Sequence, residues 1–281
     1  MSHPLDRPNV KRAWCPGCGN FGIIKLIEEV LTELKLDPKK IVIVSGIGQA
    51  SKTPYYIDTH MFCGLHGRAL PVATAIKVSN PALTVIAEGG DGDMYGEGGN
   101  HFMHTVRRNP DIVHIVHNNM VYGLTKGQAS PTSQKGFETP VQVKGVGSEP
   151  FNPISVALAL HAGFVGRVNI GNYEHAKMVL KEAFKHKGYA LVDIFQPCVV
   201  FNKVNTYKWF KDNTYELDSS YKNNDLASAM EKALEFEPIP IGVFYKVQKN
   251  TFESYQRGED RSALVEGKHD LKKLQTLFTA Y

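Results

Sequence analysis

Cysteine is scarce in this sequence: 281 residues hold four, Cys15, Cys18, Cys63 and Cys198. Four are too few for a disulfide-stapled fold, and their scarcity points to a reducing, cytoplasmic location. Long apolar runs are missing as well. No stretch approaches the ~18 residues needed to cross a bilayer, so no membrane contact is expected. The opening, residues 1–14, is polar and contains proline, unlike a signal peptide. An excess of one charge is also lacking. The formal net charge is +4, Lys and Arg are scattered, and the pair Arg107-Arg108 reads as a solvated helix end. No nucleic-acid partner is therefore expected. Neither an internal repeat nor a low-complexity stretch occurs.

What is present is a chain 42% hydrophobic, enough for one large domain or one domain with an appendage. Ile23, Ile24, Ile27, Leu31 and Leu34 recur at helical spacing, and residues 41–44 form a short β-branched run. The alternation then repeats. Residues 70–78 and 98–108 read as helices, and 83–87 and 112–116 as strands. After a polar loop over 125–148 come a helix near 154–161, a strand around Phe164, a helix near 173–186 and a strand over 189–195. Strands alternating with helices imply an α/β fold, a parallel sheet with helices on both faces. Beyond about Lys203 the pattern weakens, and aromatic and charged residues mix. Residues 1–202 are therefore read as one α/β domain that includes the N-terminal Cys-x-x-Cys segment. Residues 203–281 are read as a C-terminal arm packed on a partner subunit.

Gly89-Gly90-Asp91-Gly92-Asp93 follows a predicted strand, and Gly96, Gly98 and Gly99 come soon after. Glycines let backbone N–H groups close around phosphate oxygens, and the following helix adds the positive end of its dipole. A carboxylate beside such a cradle suits magnesium, which takes oxygen ligands from one or two protein groups plus phosphates and water. A second predicted strand leads into His117-Asn118-Asn119. That brings amide oxygens to the same carboxyl edge, where open parallel sheets bind ligands. On the turn alone, a plain strand-to-helix connection explains the glycines equally well. A dinucleotide fingerprint fits worse, since no G-x-G-x-x-G occurs here. The combination is more specific. Gly90-Asp91-Gly92, with Asn119 28 positions after the Asp and then Val121-Tyr122-Gly123, resembles the signature of thiamine-diphosphate enzymes. The resemblance implies that Asp91, Asn119 and the Val121 carbonyl bind magnesium.

Further motifs stand in order along the chain: Trp14-Cys15-Pro16-Gly17-Cys18-Gly19, Ser45-Gly46-Ile47-Gly48, and Leu65-His66-Gly67-Arg68-Ala69. They continue with Tyr122-Gly123-Leu124-Thr125-Lys126-Gly127-Gln128, Gln196-Pro197-Cys198 and Ile239-Pro240-Ile241-Gly242. Together they resemble the β subunit of 2-oxoacid:ferredoxin oxidoreductases, especially the 2-oxoglutarate-type branch, from about Trp14 to Tyr245. The fold this implies is the diphosphate-binding half of a thiamine-diphosphate enzyme. The resemblance further implies that Ile47, Gly48, Gln49 and Ala50 line the cofactor and that His66 contacts its diphosphate. Gly92, Asp93, Gly123 and Leu124 would complete the pocket, and Lys52 would stand near the substrate or coenzyme A. Lys52 and His66 are thus the candidate catalytic residues. Each has a plain alternative: a helix cap for His66, packing for Leu124, a solvated surface for Lys52.

The activity implied is oxidative decarboxylation of a 2-oxo acid to an acyl-CoA, with electrons leaving singly through an iron–sulfur centre to ferredoxin. In the family, the glutamate that activates thiamine diphosphate lies on a separate pyrimidine-binding subunit or domain. One set of thiamine motifs occurs here, so an α subunit carrying that glutamate is expected, in an (αβ)2 assembly. Cys15, Cys18 and Cys198 match three of the four ligands of a [4Fe–4S] cluster. The fourth family cysteine is Gln49 here, a poor iron ligand, and Cys63, 14 residues later, matches no family ligand. A cluster on Cys15, Cys18 and Cys198 is expected, completed by Cys63 or a non-cysteine ligand, with a three-iron form or no cluster as alternatives. Two other functions stay open. One is a subunit of a non-oxidative thiamine-diphosphate decarboxylase or carboligase, which Gln49 keeps alive. The other is a non-catalytic subunit that binds the cofactor to stabilise an assembly.

Overall fold

Ile23, Ile24, Leu26, Ile27, Val30 and Leu31 are fully buried along one helix, α1 (Asn20–Glu33). It ends just before Lys35, which takes left-handed backbone at φ 53°. The computed structural model describes residues 3–257, 262–267 and 270–279. After α1 the chain runs through β1 (Ile41–Ser45), β2 (His60–Cys63), α2 (Ala69–Ser79), β3 (Thr84–Gly90) and α3 (Gly99–Arg108). It continues through β4 (Val113–Asn118), α4 (Pro153–Ala159), β5 (Phe164–Asn169), α5 (Tyr173–Lys185) and β6 (Ala190–Phe195). Then come α6 (Tyr207–Asn213), β7 (Thr214–Glu216), α7 (Leu226–Ala233), β8 (Ile239–Lys246), α8 (Phe252–Arg257) and α9 (Leu271–Thr279). Local chemistry sets several boundaries. Asn109, left-handed at φ 56°, terminates α3. Asn152 starts α4 by accepting from the Ser155 N–H, with Pro153 in the first turn.

Among the described residues, eight strands form one sheet in the order β2-β1-β3-β4-β6-β5-β8-β7, parallel except where β8 runs antiparallel to β5. Side chains alternate across it. Ile41 and Ile43 pack with α1 and α5, while Val42 and Val44 join the cluster that holds α2, α3 and α4. Both faces are covered, which is why the central strands read as unbroken apolar runs. The expected α/β architecture is therefore present. Three strands had no counterpart in the sequence reading, β2, β7 and β8; of these, β2 lies at the sheet edge, with His60, Met61 and Phe62 exposed.

The segment after Lys203 does not stand wholly apart as an arm. It supplies β7 and β8, and β8 buries Ile239, Ile241 and Phe244 beside β5. Its apolar run is broken by Pro240 and Gly242, which hid the strand from periodicity. Pro240 is accommodated at the β7–β8 pair, where it lies opposite Tyr215. For the site, the decisive consequence of the sheet is that β1, β3, β4 and β6 are parallel neighbours. Their carboxyl ends deliver Gly46, Asp91, Asn119 and Gln196 to one edge.

Candidate active site

Asp91 leaves β3 directly and opens a π-helical turn over Gly92–Glu97. It is 1% exposed. Its Oδ2 accepts hydrogen bonds from Ser130 Oγ at 2.5 Å and Thr132 Oγ1 at 2.6 Å. Burial pushes its carboxyl up to about 6, against the opposing pull of those two hydroxyls. A carboxylate so deeply desolvated, held by hydroxyls and paired with no Lys or Arg among the described residues, suits a cation. The Asn119 side-chain oxygen accepts from the Val121 N–H at 3.0 Å, which fixes the amide at the end of β4 and leaves a lone pair for another partner.

The turn after β1 is tied to the same place. Asp93 Oδ1 accepts from the Ile47 N–H at 3.1 Å and the Gly67 N–H at 2.8 Å. His66 Nδ1 lies 2.9 Å from that oxygen and 3.3 Å from Glu97 Oε2, close contacts in which the ring is not aligned for a hydrogen bond. Burial raises the Asp93 carboxyl, while the Gly67 and Ile47 amides hold it down. Gly67 is required here: its φ is 71°, and a Cβ would lie 2.3 Å from the Glu97 carbonyl carbon. Asp93 therefore joins the loops that follow β1, β2 and β3.

These loops enclose an open cleft of about 490 Å³, lined by Ile47, Gly48, Gln49, Ala50, His66, Asp91, Gly92, Asp93, Asn119, Val121, Gly123 and Leu124, with Gly90, Tyr122 and Thr125. The residues expected to bind the cofactor and magnesium thus meet in one place. Lys52 does not line it; it sits half-buried in the short 3₁₀ turn Ala50–Tyr55. Tyr122 forms one wall, its hydroxyl donating to Glu97 Oε2 at 2.9 Å.

A second cavity, about 410 Å³, is lined by Cys15, Cys18, Cys198 and Gln49, with Trp14, Asn20, Asn119, Gly123, Gln196 and Phe201 among the others. Gln49, Asn119 and Gly123 line both spaces and form the wall between them. The Cys18 sulfur accepts from Gln196 Nε2 at 3.4 Å, and the Cys198 sulfur from the Phe201 N–H at 3.5 Å. Burial, reinforced by the nearby Cys198 and Cys15 sulfurs, pushes the Cys18 thiol up to about 11. Cys63 is elsewhere: it ends β2, its sulfur 3.3 Å from Ser45 Oγ, and it does not line this cavity.

Among the described residues, no three His, Cys, Asp or Glu side chains crowd closely enough to hold one metal ion. That pattern is not what either expected centre requires. Magnesium beside a diphosphate takes only one or two protein carboxylates, and the cysteines of an iron–sulfur cluster surround several irons rather than one. A carboxylate, an amide oxygen and a carbonyl fit the former, and three sulfurs around one cavity fit the latter. Residue pattern did not reveal Ser130 and Thr132. They come from the polar loop after Gln128, where hydroxyls recur without periodicity, and only the folded loop aims them at Asp91.

Comparison with known proteins identifies the family. Residues 44–194 match the thiamine pyrophosphate enzyme C-terminal TPP binding domain. Residues 198–259 match the C-terminal region of the pyruvate ferredoxin oxidoreductase beta subunit. The chain is 43% identical over 247 residues to the 2-oxoacid:ferredoxin oxidoreductase subunit beta of a Sulfolobus species, covering 83% of this chain and 81% of that one. It is 45% identical over 189 residues to the 2-oxoglutarate oxidoreductase subunit KorB of Mycobacterium tuberculosis, covering 67% and 51%. A solved 2-oxoglutarate:ferredoxin oxidoreductase from Magnetococcus marinus, with 2-oxoglutarate, coenzyme A and succinyl-CoA bound, superposes with a TM-score of 0.90 at 34% identity, covering 97% and 94%. The chain belongs to the β subunits of the 2-oxoacid:ferredoxin oxidoreductases.

Proposed function

We propose that this chain is the catalytic β subunit of an enzyme that oxidatively decarboxylates a 2-oxo acid to an acyl-CoA and passes the electrons to ferredoxin. The observation that carries the reading is the shared wall of Gln49, Asn119 and Gly123 between the Asp91 cleft and the cysteine cavity. A group reacting in the first space has its electron acceptor immediately behind it in the second.

In this reading Asp91, Asn119 and the Val121 carbonyl hold magnesium, and Ser130 and Thr132 hold Asp91. Gly90 and Gly92 let the backbone approach the diphosphate, and His66 stands at its side with Asp93 fixing the loops. Thiamine diphosphate supplies the electron sink that makes decarboxylation possible. Ile47 and Leu124, apolar yet exposed in this chain, offer the cofactor an apolar contact from which water is excluded once it binds. Lys52 serves the 2-oxo acid or coenzyme A only if the partner brings those substrates to its side of the 3₁₀ turn. Cys15, Cys18 and Cys198 hold an iron–sulfur cluster. The pyrimidine-binding domain and its glutamate come from an α subunit in an (αβ)2 assembly. Exposed Tyr55 at the end of the 3₁₀ turn, Phe62 on β2 and Leu65 beside His66 suit such a partner.

The test is the complex with its α subunit, assayed for substrate-dependent reduction of a viologen dye and for carbon dioxide release without an acceptor. Dye reduction that is lost in Asp91→Ala while the complex stays assembled is the expected result. Carbon dioxide release that needs no acceptor would support the non-oxidative alternative, which Gln49 keeps open. Full turnover by Asp91→Ala would sink the reading altogether.

A further inference from the structure

Gln49 is placed as a ligand would be. Its backbone oxygen accepts from Trp14 Nε1 at 2.8 Å, and it starts the 3₁₀ turn Ala50–Tyr55, so its main chain is pinned between the Cys15 segment and the cofactor cleft. Its side-chain oxygen, Oε1, is buried and has no hydrogen-bond partner among the described residues. A buried carbonyl oxygen without a donor is unfavourable and calls for a missing partner. Gln49 stands in the wall between the cofactor cleft and a cavity otherwise furnished with sulfur: Cys15, Cys18 and Cys198. Two of these sulfurs already receive N–H donors, from Gln196 and Phe201, the kind of outer contact that orients and tunes metal-bound ligands. Cys63 is not available, because it lies outside the cavity.

We infer that Gln49 Oε1 is the fourth protein ligand of the cluster, completing a site made of three thiolates and one amide oxygen. The inference rests on the proposed cluster on Cys15, Cys18 and Cys198 and adds the identity of the remaining donor. Its chemistry has two consequences. A neutral, hard oxygen binds an iron of a sulfide cluster less firmly than a thiolate does, so one iron of the four is labile. Replacing a thiolate by a neutral amide also removes one negative charge from the ligand set, which raises the reduction potential relative to a four-cysteine cluster. In the lability reaction, ferricyanide takes one electron from [4Fe–4S]2+, Fe2+ leaves the Gln49 corner, and [3Fe–4S]+ remains with all four sulfides.

The experiment uses the αβ complex purified without oxygen, with iron and sulfide analysis and EPR. The unaltered complex should carry about four irons per β chain, and ferricyanide should release about one while the three-iron EPR signal appears. Gln49→Cys should keep all its iron under the same oxidant and titrate to a lower potential. Gln49→Ala should fall to about three irons with no oxidant added. Four irons retained by Gln49→Ala as firmly as by the unaltered complex would overturn the role of Gln49 while leaving the cluster in place. An iron content near zero, or one unchanged by Cys15→Ser, would overturn the cluster reading itself and this inference with it.

Discussion

Thr132 Oγ1 lies 2.6 Å from Asp91 Oδ2 in the floor of the cleft. The same hydroxyl is 2.8 Å from Asn118 Oδ1, and it has one proton to give. The charged acceptor wins, since hydrogen bonds to carboxylates are the stronger kind. Thr132 thus fixes which way the Asp91 carboxylate faces. Thr132→Val keeps the shape and removes the donor. Magnesium affinity of the complex, measured by metal titration of cofactor binding, should fall roughly 10–100-fold, as for other losses of an outer-layer partner. Ser130→Ala should move it in the same direction. Unchanged affinity in both would remove these hydroxyls from the site.

Gly92 packs its bare Cα against the Tyr122 ring, where a Cβ would sit 2.2 Å from Cε1. The ring cannot simply swing aside, because its hydroxyl is tied to the Gly92 carbonyl and to Glu97. Gly92→Ala should therefore cost about 1–3 kcal/mol of stability, as overpacked sites do, and weaken thiamine diphosphate binding. Gly123→Ala is the contrast. Its Cβ meets no described atom within 4 Å, so unfolding should be unchanged while cofactor binding drops. Equal effects of both variants on unfolding would refute the packing argument.

His117 is fully buried between two oxygens, Glu88 Oε1 at 2.8 Å from Nε2 and Asn20 Oδ1 at 2.9 Å from Nδ1. Both ring nitrogens are engaged by oxygens, and Glu88 depends on the ring for its buried hydrogen bond. Removing one partner of such a buried pair leaves the other unsatisfied. Glu88→Ala should lower stability by about 1–3 kcal/mol. The double variant Glu88→Leu with His117→Leu should recover most of that, because a pair replaced by apolar groups leaves no buried polar atom unsatisfied. Urea unfolding midpoints of the single and double variants decide it; a double variant as unstable as Glu88→Ala speaks against the pairing.

How much of this was legible in the sequence depends on whether a residue sits at a strand end or in a loop. Asp91 and Asn119 were found because each follows a β-branched run, and parallel strands bring their carboxyl ends to one edge by geometry alone. Cys15, Cys18 and Cys198 were grouped by motif, although 180 residues separate Cys18 from Cys198; the α1 start and the β6 end meet across the sheet edge. Thr132 and Ser130 were not found, since a loop without periodicity carries no sign of where it folds back. The same limit hid β8, whose Pro240 and Gly242 break the pattern that burial restores.

His114 is buried in the middle of β4, with Nδ1 2.6 Å from the Tyr189 hydroxyl and Nε2 without a partner among the described residues. Burial drives its pKa from the ordinary 6.5 down to about 3. His186 is lowered to about 4, again chiefly by burial, with Asp111 pulling it back up. Between those values and 6.5 the unfolded chain binds protons that the folded chain refuses, so stability rises with pH across this window and falls as pH drops through it. Above pH 6.5 both imidazoles are neutral in either state and contribute no slope. The expected result is a stability that is flat in these groups near pH 7.5 and declines from about pH 6.5 toward pH 4. Each histidine adds at most about 1.4 kcal/mol per pH unit. His114→Phe strips Tyr189 of its partner and should be less stable at pH 7.5 by about 1–3 kcal/mol. Its decline on acidification should nonetheless be shallower than that of the unaltered chain. Urea unfolding at pH 7.5, 6.0 and 5.0 gives both slopes, and parallel slopes would show that His114 takes no part in the acid response.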